Sequence, residues 1–241
     1  MEYDPKLRKR TRQTKAYNNN TFLNSRDARN IRVQCEMQEP GERLKQLGIK
    51  HMISFFGSAR TKPDHPDYIN AYDIAYKLGQ RIGGPDIGIN SGGGPGIMEA
   101  VNKGAKESGC ISSIGMGISL PFEQRNNDYI SKDLEFQFHY FFTRKYWCVY
   151  LSKAFVVMPG GVGTMDELFE ILTLIQTEKI PGPKPIVLFN SEFWNRVINF
   201  QVMVDHGTIS PEDVDLFKIT DNVTEAVDHI INNIDLTQKY T

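Results

Sequence analysis

Apolar positions along this chain follow two alternating rhythms. Short, largely apolar runs at Met52–Phe56, Ile87–Asn90, Ile111–Ile118, Ala154–Met158 and Pro185–Phe189 each give way to a turn of polar, glycine or proline residues. Runs of that length read as strands buried on both faces. Between them apolar side chains recur every three or four positions, as in Ile69, Tyr72, Ala75, Leu78 and Ile82 ahead of Gly83-Gly84. This spacing predicts helices over 67–82, to about Glu107, 139–151, 164–176, 191–204 and 223–234. Shorter strands are expected at 134–138 and 217–219. Strands alternating with helices predict an α/β fold: a Rossmann-like, doubly wound, mainly parallel sheet with helices on both faces. Residues 1–48 stand apart as an N-terminal extension to a domain spanning 49–241. Ile31, Val33, Met37, Leu44 and Leu47 are spaced for helix but interrupted by Pro40-Gly41, which predicts helical pieces packed on that domain.

Composition narrows the function classes. The chain has 241 residues, 40% of them hydrophobic, enough for one sizeable core. Its 28 basic and 29 acidic side chains leave a net charge of −1, so global electrostatics favours neither a nucleic acid nor a membrane as partner. A cluster at Lys6, Arg8, Lys9, Arg10, Arg12 and Lys15 reads as a tail draped over the domain or a neighbouring subunit rather than an RNA arm. Cys35, Cys110 and Cys148 are odd in number and widely spaced, which suits free thiols in a reducing compartment. The polar N-terminus and the lack of any stretch near ~20 apolar residues suggest a cytoplasmic protein. The five histidines form no metal-binding pair, so neither a metal nor a cofactor is expected.

The chemistry gathers where strands end. Three loops follow strands: Gly57-Ser-Ala-Arg60, Ser91-Gly-Gly-Gly-Pro-Gly-Ile-Met-Glu99 and Met158-Pro-Gly-Gly-Val-Gly-Thr-Met-Asp-Glu167. The last two are glycine-rich and feed helices. Gly92, Gly93, Gly94 and Gly96, and Gly160, Gly161 and Gly163, let backbone amides approach a ligand with no Cβ in the way. A helix start adds unpaired N–H groups and the positive end of a dipole, so an anion belongs there. Neither loop has the spacing of a dinucleotide fingerprint or a P-loop.

The segments Phe56-Gly-Ser-Ala-Arg60, Gly92-Gly-Gly-Pro-Gly-Ile-Met-Glu99, Pro121-Phe-Glu-Gln-Arg125, Tyr140-Phe-Phe-Thr-Arg-Lys145 and Pro159-Gly-Gly-Val-Gly-Thr-Met-Asp-Glu167 together resemble the longer members of the LOG ("Lonely Guy") family. The resemblance covers about residues 31–230. It implies a phosphoribohydrolase that cleaves the N-glycosidic bond of a nucleoside 5′-monophosphate, AMP-like or cytokinin riboside, to free base and ribose 5-phosphate. It also implies at least a homodimer. Val162 stands where many cytokinin-activating members carry tyrosine, which favours a generic nucleotide. The alternative is a non-catalytic carrier or sensor of a phosphorylated metabolite. A pyridoxal-dependent lysine decarboxylase finds no lysine in a convincing Schiff-base setting.

Within that reading Glu167 and Glu99 are the candidate catalytic carboxylates, because each begins a helix after a glycine loop. A carboxylate can stabilise positive charge growing on ribose and orient a water. Thr164-x-x-Glu167 also matches a capping box, and Glu99 also fits a first-turn acid that complements a helix dipole. Arg144 takes the position of the family's essential arginine. A guanidinium does not release its proton, so it is expected to clamp phosphate or the departing base. Gly57, Ser58 and Arg60 are expected to reach phosphate or base, Val162 belongs to the cradle, and Thr164 either donates to phosphate or caps its helix. Lys145 and Asp166 are expected to be solvated charges, and His139 structural.

Overall fold

The strand β1 (His51–Phe56) lies at the centre of the molecule, and the topology is arranged around it. The computed structural model describes residues 15–120, 125–180, 182 and 184–237. Lys6, Arg8, Lys9, Arg10 and Arg12, and residues 121–124 of the segment Pro121–Arg125, lie outside the described residues. From β1 the chain moves outward through α3 (Pro66–Ile82), β2 (Ile87–Ser91), α4 (Ile97–Ser108), β3 (Ser112–Ile118) and β4 (Glu135–Phe138). It returns through α5 (Phe141–Tyr150) to β5 (Ser152–Val157), beside β1 on its other edge. It then moves outward again through α6 (Val162–Gln176), β6 (Ile186–Phe189), α7 (Ser191–Val197), α8 (Phe200–Asp205), β7 (Lys218–Thr220) and α9 (Val223–Asn233). The described residues thus form a seven-stranded sheet in the order β4-β3-β2-β1-β5-β6-β7, with each pairing parallel. Strand order reverses between β1 and β5, and the carboxyl ends on either side of such a reversal splay to leave a crevice.

Burial explains why these sequences became strands. Every residue of β2, β5 and β6 is buried, as the apolar runs require of a sheet covered on both faces. On one face Tyr68, Ile74 and Leu78 of α3, Ile97 and Val101 of α4, and Val227 and Ile230 of α9 pack on Ile53, Phe55, Ile89 and Val156. On the other, Trp147 of α5, Leu168 and Ile171 of α6, and Trp194 of α7 pack on Met52, Met116, Phe155 and Leu188. Among the described residues no helix is long and apolar enough to cross a membrane.

Three local expectations are revised. Pro40-Gly41 does not split the N-terminal segment: after the short α1 (Asn20–Leu23), α2 runs unbroken from Arg29 to Gln46 with Pro40 inside it. Proline lacks the amide that would bond the carbonyl four residues back, here that of Glu36. That carbonyl instead accepts from Trp147 Nε1 of α5 at 2.8 Å. A Cβ on Gly41 would stand 2.6 Å from the same indole ring. The Pro-Gly pair is therefore a notch that receives tryptophan, with a tertiary bond replacing the lost local one. The segment 191–204 forms two helices, because Ile198 is extended and Asn199 caps α8 by accepting the Val202 amide at 3.2 Å. The helix expected from 139 begins at Phe141, since His139 and Tyr140 turn their amides to Glu36 on α2.

The helices α3 and α4 approach closely at Gly104, where an added Cβ would lie 2.3 Å from the Tyr72 carbonyl oxygen. Helix propensity alone favours Gly104→Ala by about 1 kcal/mol, but the obstacle is backbone and cannot rotate away. Gly104→Ala is expected to lower the unfolding free energy by about 1–3 kcal/mol in urea titrations. A variant as stable as the parent, or more so, would show that the two helices have room to part.

Candidate active site

The reversal crevice is a real cleft. Its volume is about 650 Å³, and it is lined by Phe56, Gly57, Ser58 and Arg60 after β1, Gly92 and Met98 after β2, Ile118 and Leu120 after β3, and Gly161, Val162, Gly163, Thr164 and Glu167 after β5, with Arg144 reaching in from α5. That size suits a small-molecule ligand. The three loops bond to one another: Ser58 donates its amide to the Pro159 carbonyl at 3.0 Å, and its own carbonyl accepts the Ile97 amide at 2.9 Å. Gly96, at φ +68°, makes this weld feasible, because a Cβ there would lie 2.5 Å from the Ser58 oxygen.

The helix α6 opens into the cleft without a side-chain cap: its N-cap is Gly161, and among the described residues no side chain bonds the first amides. Orphan amides at a helix start, with Gly161 and Gly163 bare of neighbours where a Cβ would sit, form an anion cradle. Gly160 acts differently, since a Cβ there would collide with Thr164 Oγ1 at 2.0 Å; its absence lets the buried Thr164 tuck under the loop. Because the helix begins at Val162, Thr164 is a first-turn residue rather than a cap, and the capping box with Glu167 does not form.

Glu167 bonds Arg144 instead. Arg144 Nη2 donates to Glu167 Oε1 at 2.5 Å, with the two side chains 14% and 3% exposed. Glu167 Oε2 and Arg144 Nε are buried and have no hydrogen-bond partner among the described residues. Burial pushes the Glu167 carboxyl above its ordinary 4.5, against the pull of Arg144 and Lys145. Burial prevails because one carboxylate oxygen has no hydrogen-bond donor among the described residues. Lys145, expected to be a solvated charge, is mostly buried and ties α5 to α6 through Asp166 (3.0 Å) and Glu170 (2.7 Å). Burial acts to lower its ammonium, but those bonds hold it above the ordinary value. Asp166 is exposed, as a first-turn acid would be.

The second glycine loop is largely bonded within the protein. Gly92 lines the cleft, and its missing Cβ leaves room for Arg144 Nη1, which would otherwise be 3.2 Å away. Gly93, Gly94 and Gly96 are not among the residues lining it. Asn127 Nδ2 bonds the carbonyls of Gly93 and Gly94, and the Gly93 amide goes to Ser91 Oγ. Glu99, paired with Glu167 on sequence grounds, also lies outside the lining and accepts from Tyr68 Oη at 2.9 Å. Asn102 is the hub that sequence reasoning missed. Fully buried, it links Ser91, Ser113, the Ile114 carbonyl and Asn127. The signal was present, since a lone asparagine stands on the apolar face of α4 between Ile97, Val101 and Ala105. Met98, Ile118 and Leu120, also missed, give the cleft its apolar wall. Cys148 is no nucleophile, as burial raises its thiol to about 12.

Comparison with known proteins agrees with this geometry. The family profile described as "possible lysine decarboxylase" matches residues 98–230, just over half of the chain. The chain is 27% identical over 179 residues to the cytokinin riboside 5′-monophosphate phosphoribohydrolase LOG3 of Arabidopsis thaliana, covering 73% of this chain and 79% of that one. It is 30% identical over 131 residues to the pyrimidine/purine nucleotide 5′-monophosphate nucleosidase of Escherichia coli K12, covering 49% of this chain but 27% of that enzyme. Among solved structures, the molybdenum cofactor binding protein of Rippkaea orientalis superposes with a TM-score of 0.53 at 19% identity over 76% of this chain and 96% of that one, a likeness of fold alone. The matched segment runs from the start of α4 through the Arg144 helix and the α6 glycine loop to α9, and on that ground the chain belongs to the LOG family.

Proposed function

We propose that this protein is a nucleoside 5′-monophosphate phosphoribohydrolase, releasing free base and ribose 5-phosphate. The observation that carries the proposal is Glu167 Oε2, a carboxylate oxygen with no partner among the described residues, buried in a cleft whose other wall is the open amide mouth of α6. A site that only held phosphate would gain nothing from a buried carboxylate beside it, because the like charges repel. A site that must stabilise an oxocarbenium-like ribose needs one.

The assignment of roles follows the layout. The amides of Gly161 to Thr164 take the 5′-phosphate, with Ser58 and Arg60 across the cleft. Glu167 lies next to the anomeric carbon, its Oε1 held by Arg144, and its carboxylate is the acceptor for the proton of the attacking water. The C1′–N bond breaks with its electron pair leaving on the base. Water supplies the new C1′–O bond, and its proton passes to Glu167 and on to the base. Arg144 keeps its proton throughout and offsets negative charge on phosphate or base. Met98, Ile118, Leu120 and Phe56 offer an apolar surface for the base. Among the described residues this wall is apolar and offers a base no hydrogen bond, which supports a broad monophosphate substrate class, and Val162 at 88% exposure adds no ring to it.

Self-association belongs to the same proposal. Phe141, Phe142, Tyr146, Val162 and Phe169 are exposed, and Val162, which lines the cleft, and Phe169 also line a second hollow of about 490 Å³. An apolar patch so placed supports a homodimer that closes over the site.

Incubated with AMP, GMP, CMP and UMP, the protein is expected to release ribose 5-phosphate. Glu167→Gln should lower kcat about 10²–10⁴-fold and Arg144→Ala about 10²–10³-fold, both without unfolding. No cleavage across the panel, with thermal protection by a monophosphate, would turn the reading to a sensor. Because burial raises the Glu167 carboxyl, the active carboxylate is lost as pH falls through a value above 4.5. The acid limb of kcat/KM should therefore lie above that value, and a limb at or below it would contradict the assignment. Arg144→Met strands a buried carboxylate and should cost about 3 kcal/mol of stability near pH 7.5. The deficit should shrink toward pH 5 as Glu167 takes up a proton; a pH-independent deficit in denaturant titrations would count against the buried pair.

A further inference from the structure

The helix that carries Arg144 does not cap itself. Its N-cap residue, Tyr140, makes no side-chain cap bond, and no acid stands in its first turn. A carboxylate reaches this helix start from more than a hundred residues earlier, on α2. Glu36 Oε1 accepts the His139 amide at 2.8 Å, while Oε2 accepts the Tyr140 amide at 3.3 Å and the Thr143 hydroxyl at 2.5 Å. Thr143 is fully buried and is the immediate neighbour of Arg144. The main chain of the same glutamate is engaged as well, since its carbonyl, freed by Pro40, accepts from Trp147 Nε1. Arg29 of α2 lies over the Tyr140 ring at 5.6 Å, so α2 grips α5 along its length.

We propose that Glu36 is a positioning residue for the reaction, a cap lent by the N-terminal extension that sets the rotation and height of α5 and so aims Arg144 at Glu167. The inference rests on the phosphoribohydrolase reading. Two observations separate it from ordinary packing. The carboxylate is directed at the two amides that lead into α5 and at the first-turn hydroxyl of Thr143, next to Arg144. It also supplies the negative charge that this helix start lacks, next to a cation that the positive end of the dipole would otherwise repel. Glu36 is not among the residues lining the cleft and, among the described residues, makes no hydrogen bond or ion pair with Arg144, so its effect passes through the helix. Loss of the cap lets the first turn fray, and a displacement of about 1 Å at a catalytic group costs on the order of 10²-fold in rate.

The test compares wild type, Glu36→Ala and Glu36→Gln. Ribose 5-phosphate release is read together with thermal stability, and the side-chain Nε–H signal of Arg144 is followed in ¹⁵N-arginine protein, assigned by its loss in Arg144→Lys. Glu36→Ala is expected to lower kcat per folded molecule ten- to a hundredfold with KM changed less than threefold, and to move or broaden the Arg144 signal. Glu36→Gln, which keeps one acceptor oxygen, should recover part of kcat. A kcat within twofold of wild type in both variants, whatever their melting temperatures, would overturn the proposal. If Glu36→Ala does not fold, Glu36→Gln decides by the same criteria. If wild type cleaves no monophosphate, the phosphoribohydrolase reading fails by itself. The Arg144 signal then settles the positioning claim, with a shift in Glu36→Ala supporting it and an unchanged signal refuting it.

Discussion

A carboxylate and a guanidinium, both nearly shut off from water and only half satisfied by one another, set the terms for the rest of this structure. Burying Glu167 beside Arg144 is costly, because the Coulombic gain of one bond does not repay the desolvation of two ions. The fold supports the pair from several sides. The strand reversal at β1 and β5 opens the crevice, and α6 places Glu167 one turn inside its mouth. Gly92 clears space for the guanidinium, while Lys145 bridges to Asp166 and Glu170 and ties the two helices together. Unsatisfied buried groups of this kind are rare where stability alone is at stake, and they concentrate where a ligand completes them.

Much of the architecture was legible in the sequence because its physics is local. Apolar runs between turn residues became parallel strands, and three-and-four spacing became helices, since a sheet covered on both faces leaves those patterns few other uses. The failures occurred where distant groups override local rules. Pro40-Gly41 looked like a stop, and in the structure it is a notch for Trp147. Thr164-x-x-Glu167 had the spacing of a capping box, but an arginine two elements away claims the glutamate. Lys145 looked like surface charge because its partners lie on α6.

The candidate site was legible in outline. Spacing located two glycine loops at the carboxyl edge, and the resemblance supplied Arg144 and Glu167, which the structure brings into contact in one cleft. What spacing could not show is that the loops differ in kind. The α6 loop has no side-chain cap, whereas the Gly93 amide and the carbonyls of Gly93 and Gly94 are taken up by Ser91 and Asn127. Glu99, equivalent to Glu167 by position after a glycine loop, is turned to Tyr68 instead. Two loops that look alike in sequence thus differ in the structure, one open to the cleft and the other largely bonded within the protein.

The central claim is geometric, that a sugar phosphate on the α6 amides brings its anomeric carbon to Glu167. A crystal structure of the Glu167→Gln protein with a bound nucleoside monophosphate tests this most directly. The account predicts phosphate oxygens on the amides of Gly161 to Thr164, with C1′ facing the side chain of residue 167 directly or through one water. A nucleotide bound with its ribose turned away from residue 167, or seated outside this cleft, would contradict it.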